Sequence, residues 1–310
     1  MAFVGHVIEA IVGVVVAVQL ACFVVALHAM LNVPQMRTIH LTAGSLLGAL
    51  GGLVVETAWT VVAVLAIPLG ALPWRRPRED EPPARPPIVF VPGYLMTRSS
   101  MWILRQRLAR DGWSDAVGYN YRTFHGDLRA AARGLGTVLD TVRAERGASH
   151  VVVIAHGMGG LVARLCLRDR PRRFVRTLVT LGTPHQGSTL YALALDPMAQ
   201  DMRAGSALIE ELADDGLPRG MDVTAIYSSF DLTVVPSSAG QYPGASNIEV
   251  EGVGHAGLLW SGRVGELVRE NLEFAHETLM AEAGDASGAV DDDQEAPSAR
   301  TQRATSPASE

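Results

Sequence analysis

Read as apolar and polar positions, the chain has three regimes. From residue 7 to 31 nearly every position is apolar, interrupted by Glu9, Gln19 and His28, long enough for a helix across about 30 Å of hydrocarbon. A second apolar run fills residues 41–72, with Glu56 near its middle. From residue 88 to about 280, short apolar runs alternate with stretches of helical period. These predict strands at 88–91, 117–121, 151–155, 177–181, 224–228 and 248–250. Helices are predicted at 100–111, 127–146, 159–168 and 258–276, with a longer, mostly helical insertion between Gly187 and Met221. This alternation points to an α/β fold, a mostly parallel sheet with helices on both faces. In such sheets ligands bind beyond the carboxyl ends of the strands, so the residues that follow each strand are the candidates for chemistry.

The same pattern divides the chain. Residues 1–72 are expected to form a membrane hairpin of two transmembrane helices, and 73–87, rich in Pro and Arg, a stiff extended linker. Residues 88–280 form the globular domain, and 281–310 an acidic, disordered tail. The first nine residues carry no Arg or Lys and no small-x-small site follows the first run, so an uncleaved helix is expected in place of a signal peptide. Gly44, Gly48 and Gly52 recur at four-residue spacing, which lets a second helix approach closely, either the first span or a second copy of the chain in a homodimer. A carboxylate at Glu56 is costly in lipid and is expected to face protein, through an interhelical hydrogen bond. Arg37 alone lies between the two runs, whereas Arg75, Arg76, Arg78 and Arg85 follow the second. The positive-inside tendency then places both termini and the domain in the cytoplasm.

Composition changes this picture little. The 48% hydrophobic content is high, and much of the excess lies in the first 72 residues. The net charge of −6 comes largely from Asp285, Asp291, Asp292, Asp293, Glu295 and Glu310, which argues against nucleic acid as a partner. Two cysteines, Cys22 in the first apolar run and Cys166 on the apolar face of a predicted helix, make no disulfide framework. Packing is the expected role of Cys166. No metal-ligand spacing stands out, and no cofactor is required.

Three strand ends carry candidate chemistry. Val151-Val-Val-Ile-Ala-His156-Gly157-Met158-Gly159-Gly160 has the layout of a nucleophile elbow, a buried strand turning sharply into a helix with small residues beside the nucleophile. Gly157 stands at the nucleophile position. A dinucleotide-binding turn is the rival, but the third glycine position is Val162 and no acidic residue ends the next strand. Downstream, Asp231 follows one predicted strand and His255 sits in a Gly-rich turn after another, in the order nucleophile, acid, base that this fold uses.

Together with Val89-Phe-Val-Pro-Gly-Tyr94 and Leu181-Gly-Thr-Pro-His-Gln-Gly187, these segments resemble the bacterial triacylglycerol lipases and esterases of the α/β-hydrolase fold, notably the small lipases of Bacillus type. The resemblance covers residues 88 to about 280 and implies an acyl-ester or lipid ligand and, with the apolar runs, a bacterial inner-membrane setting. It also implies that Asp231 is the triad acid, His255 the base, and the backbone N–H groups of Tyr94 and Met158 the oxyanion hole. His185 is expected to be structural. Pro92 stands where these lipases carry His, which alters the oxyanion loop.

Glycine offers no atom that can attack an ester. Loss of the serine in comparable triads costs about 10⁶ in turnover. Three readings stay open: a protein that binds acyl esters with hydrolysis disabled, an ester hydrolase that uses a His255-held water or a substitute hydroxyl such as Ser188, or a structural protein whose hairpin is the functional part and whose domain is a passive cap. The insertion, with Tyr191, Leu193, Leu195, Met198 and Met202, either forms a lid or packs on the sheet.

Overall fold

Residues 2–32, 43–72, 74, 85–169, 173–218 and 220–291 are described in the computed structural model. The chain divides into two units, Met1–Asn271 and Leu272–Glu310. The strands are β1 (Ile88–Val91), β2 (Ala116–Gly118), β3 (Val151–His156), β4 (Val175–Leu181), β5 (Asp222–Ser228) and β6 (Ser246–Val250). All neighbours pair in parallel, in the order β2-β1-β3-β4-β5-β6. Every residue of β3 is buried, as a central parallel strand covered on both faces requires.

The helices follow from their caps and stripes. In α4 (Leu128–Arg146) the Asp127 carboxylate accepts the N–H groups of Arg129 and Ala130, and Gly147 ends the helix in the left-handed region. Between these caps Leu128, Ala131, Leu135, Leu139 and Val142 recur at helical spacing and are buried against the sheet. On α5 (Met158–Asp169) Leu161, Val162, Leu165 and Cys166 are buried in the same core, so the Cys166 thiol is a packing group.

The boundaries differ from the sequence pattern in two main places. The second strand ends at Gly118 instead of residue 121, because β2 is an edge strand and the chain turns to bring the Tyr119 hydroxyl onto the Ala131 carbonyl, 2.8 Å away. The last helix, α8 (Gly262–Asp291), runs past residue 281, where the tail was expected to begin; the Ala-rich sequence there propagates a helix well. Residues 292–310 lie outside the described residues, as do 73 and 75–84 of the expected linker. The insertion folds as a 3₁₀ turn (Thr189–Leu193), α6 (Pro197–Asp201) and α7 (Ala207–Asp214). Met198 and Met202 are buried in the main core, so this segment packs on the sheet and does not act as a lid.

The N-terminal helices come next. Among the described residues one stretch, Gly5–Val24 of α1 (Ala2–Asn32), is long and apolar enough to cross a membrane. In α2 (Ala43–Leu65) the described side chains begin at residue 51, and the apolar stretch among them is Gly51–Leu65. Of the expected pair of transmembrane helices, one candidate is found among the described residues. One face of α2 meets the domain, while Val54, Val55 and Val62 are exposed. Trp59 meets Trp260 edge to face at 4.3 Å, and Ala63 and Glu56 are buried. After Leu65 a 3₁₀ turn (Ile67–Ala71) presents the Gly70 carbonyl to Arg98 Nε at 2.9 Å and to Asn120 Nδ2 at 2.7 Å. The second run is thus a docking element of the domain. Of the glycines expected to form a close-packing face, the surroundings of Gly44 and Gly48 lie outside the described residues, and a Cβ at Gly52 would meet nothing within 4 Å.

Candidate active site

The turn between β3 and α5 forces its central residue into a conformation that side chains avoid. Gly157 has φ +52°, where a side chain costs about 1 to 3 kcal/mol and glycine is at ease. Its N–H bonds the Leu181 carbonyl at 2.9 Å, fixing the elbow to the end of β4. A Cβ at Gly159 would collide with the carbonyl oxygens of Val91 and Pro92, so helix and strand meet here only because that position is also glycine. A Cβ on Gly157 would stand 3.0 Å from Nε2 of His255 and 3.4 Å from its Cε1. Any hydroxyl carried at position 157 would therefore project toward the imidazole.

His255 and Asp231 arrive from the ends of β6 and β5. The His255 Nδ1–H donates to Oδ2 of Asp231 at 2.6 Å, which fixes the tautomer and leaves the Nε2 lone pair facing Gly157. Oδ1 of Asp231 accepts from the N–H and the hydroxyl of Thr233, each at 2.7 Å, and from the Val234 N–H at 3.2 Å. Burial alone would raise the Asp231 pKa, but the His255 ring and the Thr233 donors hold it below the ordinary carboxylate value. Burial likewise opposes the His255 imidazolium, and the Asp231 carboxylate outweighs it, so that His255 is the stronger base.

Two further side chains brace the His255 turn. His156, wholly buried, donates from Nε2 to the His255 carbonyl at 3.0 Å, with the two rings 4.4 Å apart. Burial, and then the neighbouring charge of His255, push its pKa down to about 3, so it stays neutral. From the other side, Glu56 of α2 accepts the N–H groups of Ala256 at 2.6 Å and Gly257 at 3.2 Å, the residues directly after His255. A Cβ on Gly254 would collide with that carboxylate, so the glycine admits the helix. The interhelical bond expected of Glu56 is corrected: Glu56 binds the domain, and α1 is tied to α2 by Gln19 Nε2 donating to the Thr60 hydroxyl at 2.9 Å. The lone carboxylate in an apolar run was the sequence signal for this contact, but nothing in the sequence named its partner.

Gly157, Met158, Tyr94, Thr233 and His255 line one cavity of about 480 Å³. Tyr94 and Met158, expected as oxyanion donors, thus share it with the elbow and the base. Its opposite wall belongs to α1 and α2, and includes Ile11, Val15, Cys22, Ala63 and Val64; among the described residues of the insertion, which the sequence left open as a lid or as packing, Tyr191 reaches the cavity. His185 is apart from it. Buried and stacked on Tyr242, it pairs with the Thr180 hydroxyl at 2.9 Å, and burial beside Arg164 holds its pKa well below the usual value. Ser188, a candidate substitute nucleophile, is also structural: its buried hydroxyl oxygen accepts the N–H groups of Val235 at 3.0 Å and Leu190 at 3.3 Å.

Comparison with known proteins agrees with this architecture. The profile of the PGAP1-like alpha/beta domain matches residues 84–202. Aspergillus fumigatus lipase B superposes with a TM-score of 0.57 at 20% identity, over 64% of this chain and 55% of that one, so the chain spans about half of that lipase. The mature form of Bacillus licheniformis lipase BlEst2 gives 0.55 at 20% identity, over 63% of this chain and 95% of the lipase. Phospholipase PlaB from Legionella pneumophila gives 0.54 at 14% identity, over 65% and 63%. At such identities the likeness is one of fold.

Proposed function

On the premise of an α/β-hydrolase fold of lipase and esterase kind, we propose that this chain is a membrane-associated protein that binds acyl esters or lipids and has lost serine hydrolysis. One observation carries the reading: the Asp231–His255 pair is assembled, and His255 Nε2 aims at the empty side-chain position of Gly157. Base and acid are in place for an attacking oxygen that the residue does not supply. The N–H groups of Tyr94 and Met158 would polarise a bound ester carbonyl without any step following. With α1 as the crossing helix, Arg37, Arg75, Arg76, Arg78 and Arg85 all follow it, which favours a cytoplasmic domain and the N-terminus on the opposite face.

The intact pair also favours a second reading, weak hydrolysis by a water that His255 activates. Full-length protein assayed on p-nitrophenyl butyrate separates the two. The binding reading expects no turnover from the natural chain and turnover from Gly157→Ser that His255→Ala removes. Hydrolysis by the natural chain that His255→Ala abolishes would establish the second reading. A folded Gly157→Ser protein that neither hydrolyses the ester nor binds lipid would overturn both.

A further inference from the structure

The cavity is walled mostly by apolar side chains. On the domain side stand Gly157 and His255; α1 and α2 contribute Ile11, Val15, Val18, Ala63 and Val64, and also Gln19, Thr60 and Glu56, whose polar atoms are bonded to one another or to the Ala256 and Gly257 N–H groups. Its volume of about 480 Å³ lies within the range of about 300 to 1,000 Å³ that encloses most of a small ligand. A mostly apolar space of that size beside His255 fits an acyl ester.

The rim indicates where such a molecule comes from. Val14 and Val18 line the cavity yet are 64% and 55% exposed, and Leu95 across from them is 50% exposed. The apolar wall therefore continues onto the outer surface of α1, within the stretch Gly5–Val24 that has the length and hydropathy of a membrane helix. α1 meets the catalytic edge through the middle of that stretch, so the edge lies at apolar depth wherever α1 inserts. A water-borne substrate would have to cross this rim, whereas an acyl chain in lipid is already beyond it.

The roof is also fastened. Gln19 holds α1 to α2, and Glu56 holds α2 to the turn that carries His255. A segment bonded in this way to the base is part of the site.

We infer that α1 and α2 form the acyl-chain subsite of this protein. Its occupant is one acyl chain of a bilayer lipid ester, which enters past Val14, Val18 and Leu95 and brings its ester to Gly157 and His255. The inference rests on the acyl-ester reading above and adds to it the source of the ligand and the residues that hold it.

The test uses the unaltered full chain reconstituted in phosphatidylcholine vesicles that contain a phosphatidylcholine with a diazirine on one acyl chain. After illumination, label is expected on Met158 and Tyr191, which face the cavity from the domain side, as well as on α1. Val15→Trp fills the cavity and is expected to lower label on Met158 and Tyr191 by about tenfold, a loss of some 1.4 kcal/mol in affinity. Val55→Trp, on an exposed face of α2 outside the cavity, leaves that label in place. Label confined to α1 in the unaltered chain, or undiminished at Met158 and Tyr191 in a folded Val15→Trp protein, overturns the inference. Should Val15→Trp fail to fold, the pattern in the unaltered chain still decides. Butyrate hydrolysis by Gly157→Ser without label at these two positions would keep the acyl-ester reading and reject the subsite. Label without hydrolysis would keep the subsite and reject the hydrolase ancestry.

Discussion

The Glu56 carboxylate accepts the backbone N–H of Ala256 at 2.6 Å and joins the second apolar segment to the residue that follows His255. The same carboxylate takes the Gly257 N–H, so Glu56→Leu leaves two buried donors without an acceptor. Each is worth about 1 to 3 kcal/mol, and a loss of about 2 to 6 kcal/mol is expected in total. Thermal unfolding followed by near-ultraviolet circular dichroism in detergent measures it. Glu56→Gln, which keeps one amide oxygen, should fall between; a Glu56→Leu protein with the parent's midpoint would contradict the contact.

Gly157→Ser is expected to trade stability for chemistry. Its side chain enters a left-handed position beside His255 Nε2, at a cost of about 1 to 3 kcal/mol. Urea unfolding should show that loss in the same preparation that gains esterase activity. Equal stability of the two proteins would mean that the elbow is unstrained.

Within the Gly157→Ser background, Asp231→Asn tests the acid. An amide there no longer holds the Nδ1–H tautomer of His255, and kcat is expected to drop by about 10⁴. A drop below tenfold would remove Asp231 from the site.

Acid should weaken the fold through His156. Its pKa falls from 6.5 to about 3 on folding, so below pH 6.5 the unfolded chain takes up a proton that the folded chain refuses. Stability from this residue is therefore lost as pH falls through that window, by about 1.4 kcal/mol per unit. The pair beside it behaves differently. The raised His255 pKa adds stability that is fully present below 6.5 and is lost as pH rises through the raised value. The lowered Asp231 pKa adds stability above 3.8 that is lost as pH falls through the lowered value. His156→Gln can still donate to the His255 carbonyl but does not titrate. Between pH 7 and pH 5 the parent is expected to lose about 2 kcal/mol more than His156→Gln in urea unfolding; equal losses would show that His156 is not held neutral.

Gly157, Asp231 and His255 were legible in the chain because each follows a predicted strand, and strand ends converge in a parallel sheet. Most strands and helices follow from the same periodicities, whereas the order β2-β1-β3-β4-β5-β6 comes from the structure. Other features depend on partners that sequence does not name. An apolar run reads alike whether lipid or protein covers it, so the contacts of α2 with the domain through Trp59 and Glu56 could not be read from its sequence. Likewise Met198 and Met202 are as suitable for a lid as for a core, and only their burial decides. Thr233, which holds Asp231, is one Thr among many until the turn around it is formed.

Glu56 and Ala256 are separated by 200 positions in the chain. Synthesis proceeds from the N-terminus, so α1 and α2 emerge, and their apolar surface must be accommodated, before any strand of the sheet exists. Their acceptor stays without its donors until β6 has joined the edge of the sheet, and closing so long a loop is a late event. Emergence of the N-terminal helices and folding of the domain are thereby placed in sequence, and docking of α2 becomes a checkpoint that only a completed sheet can pass.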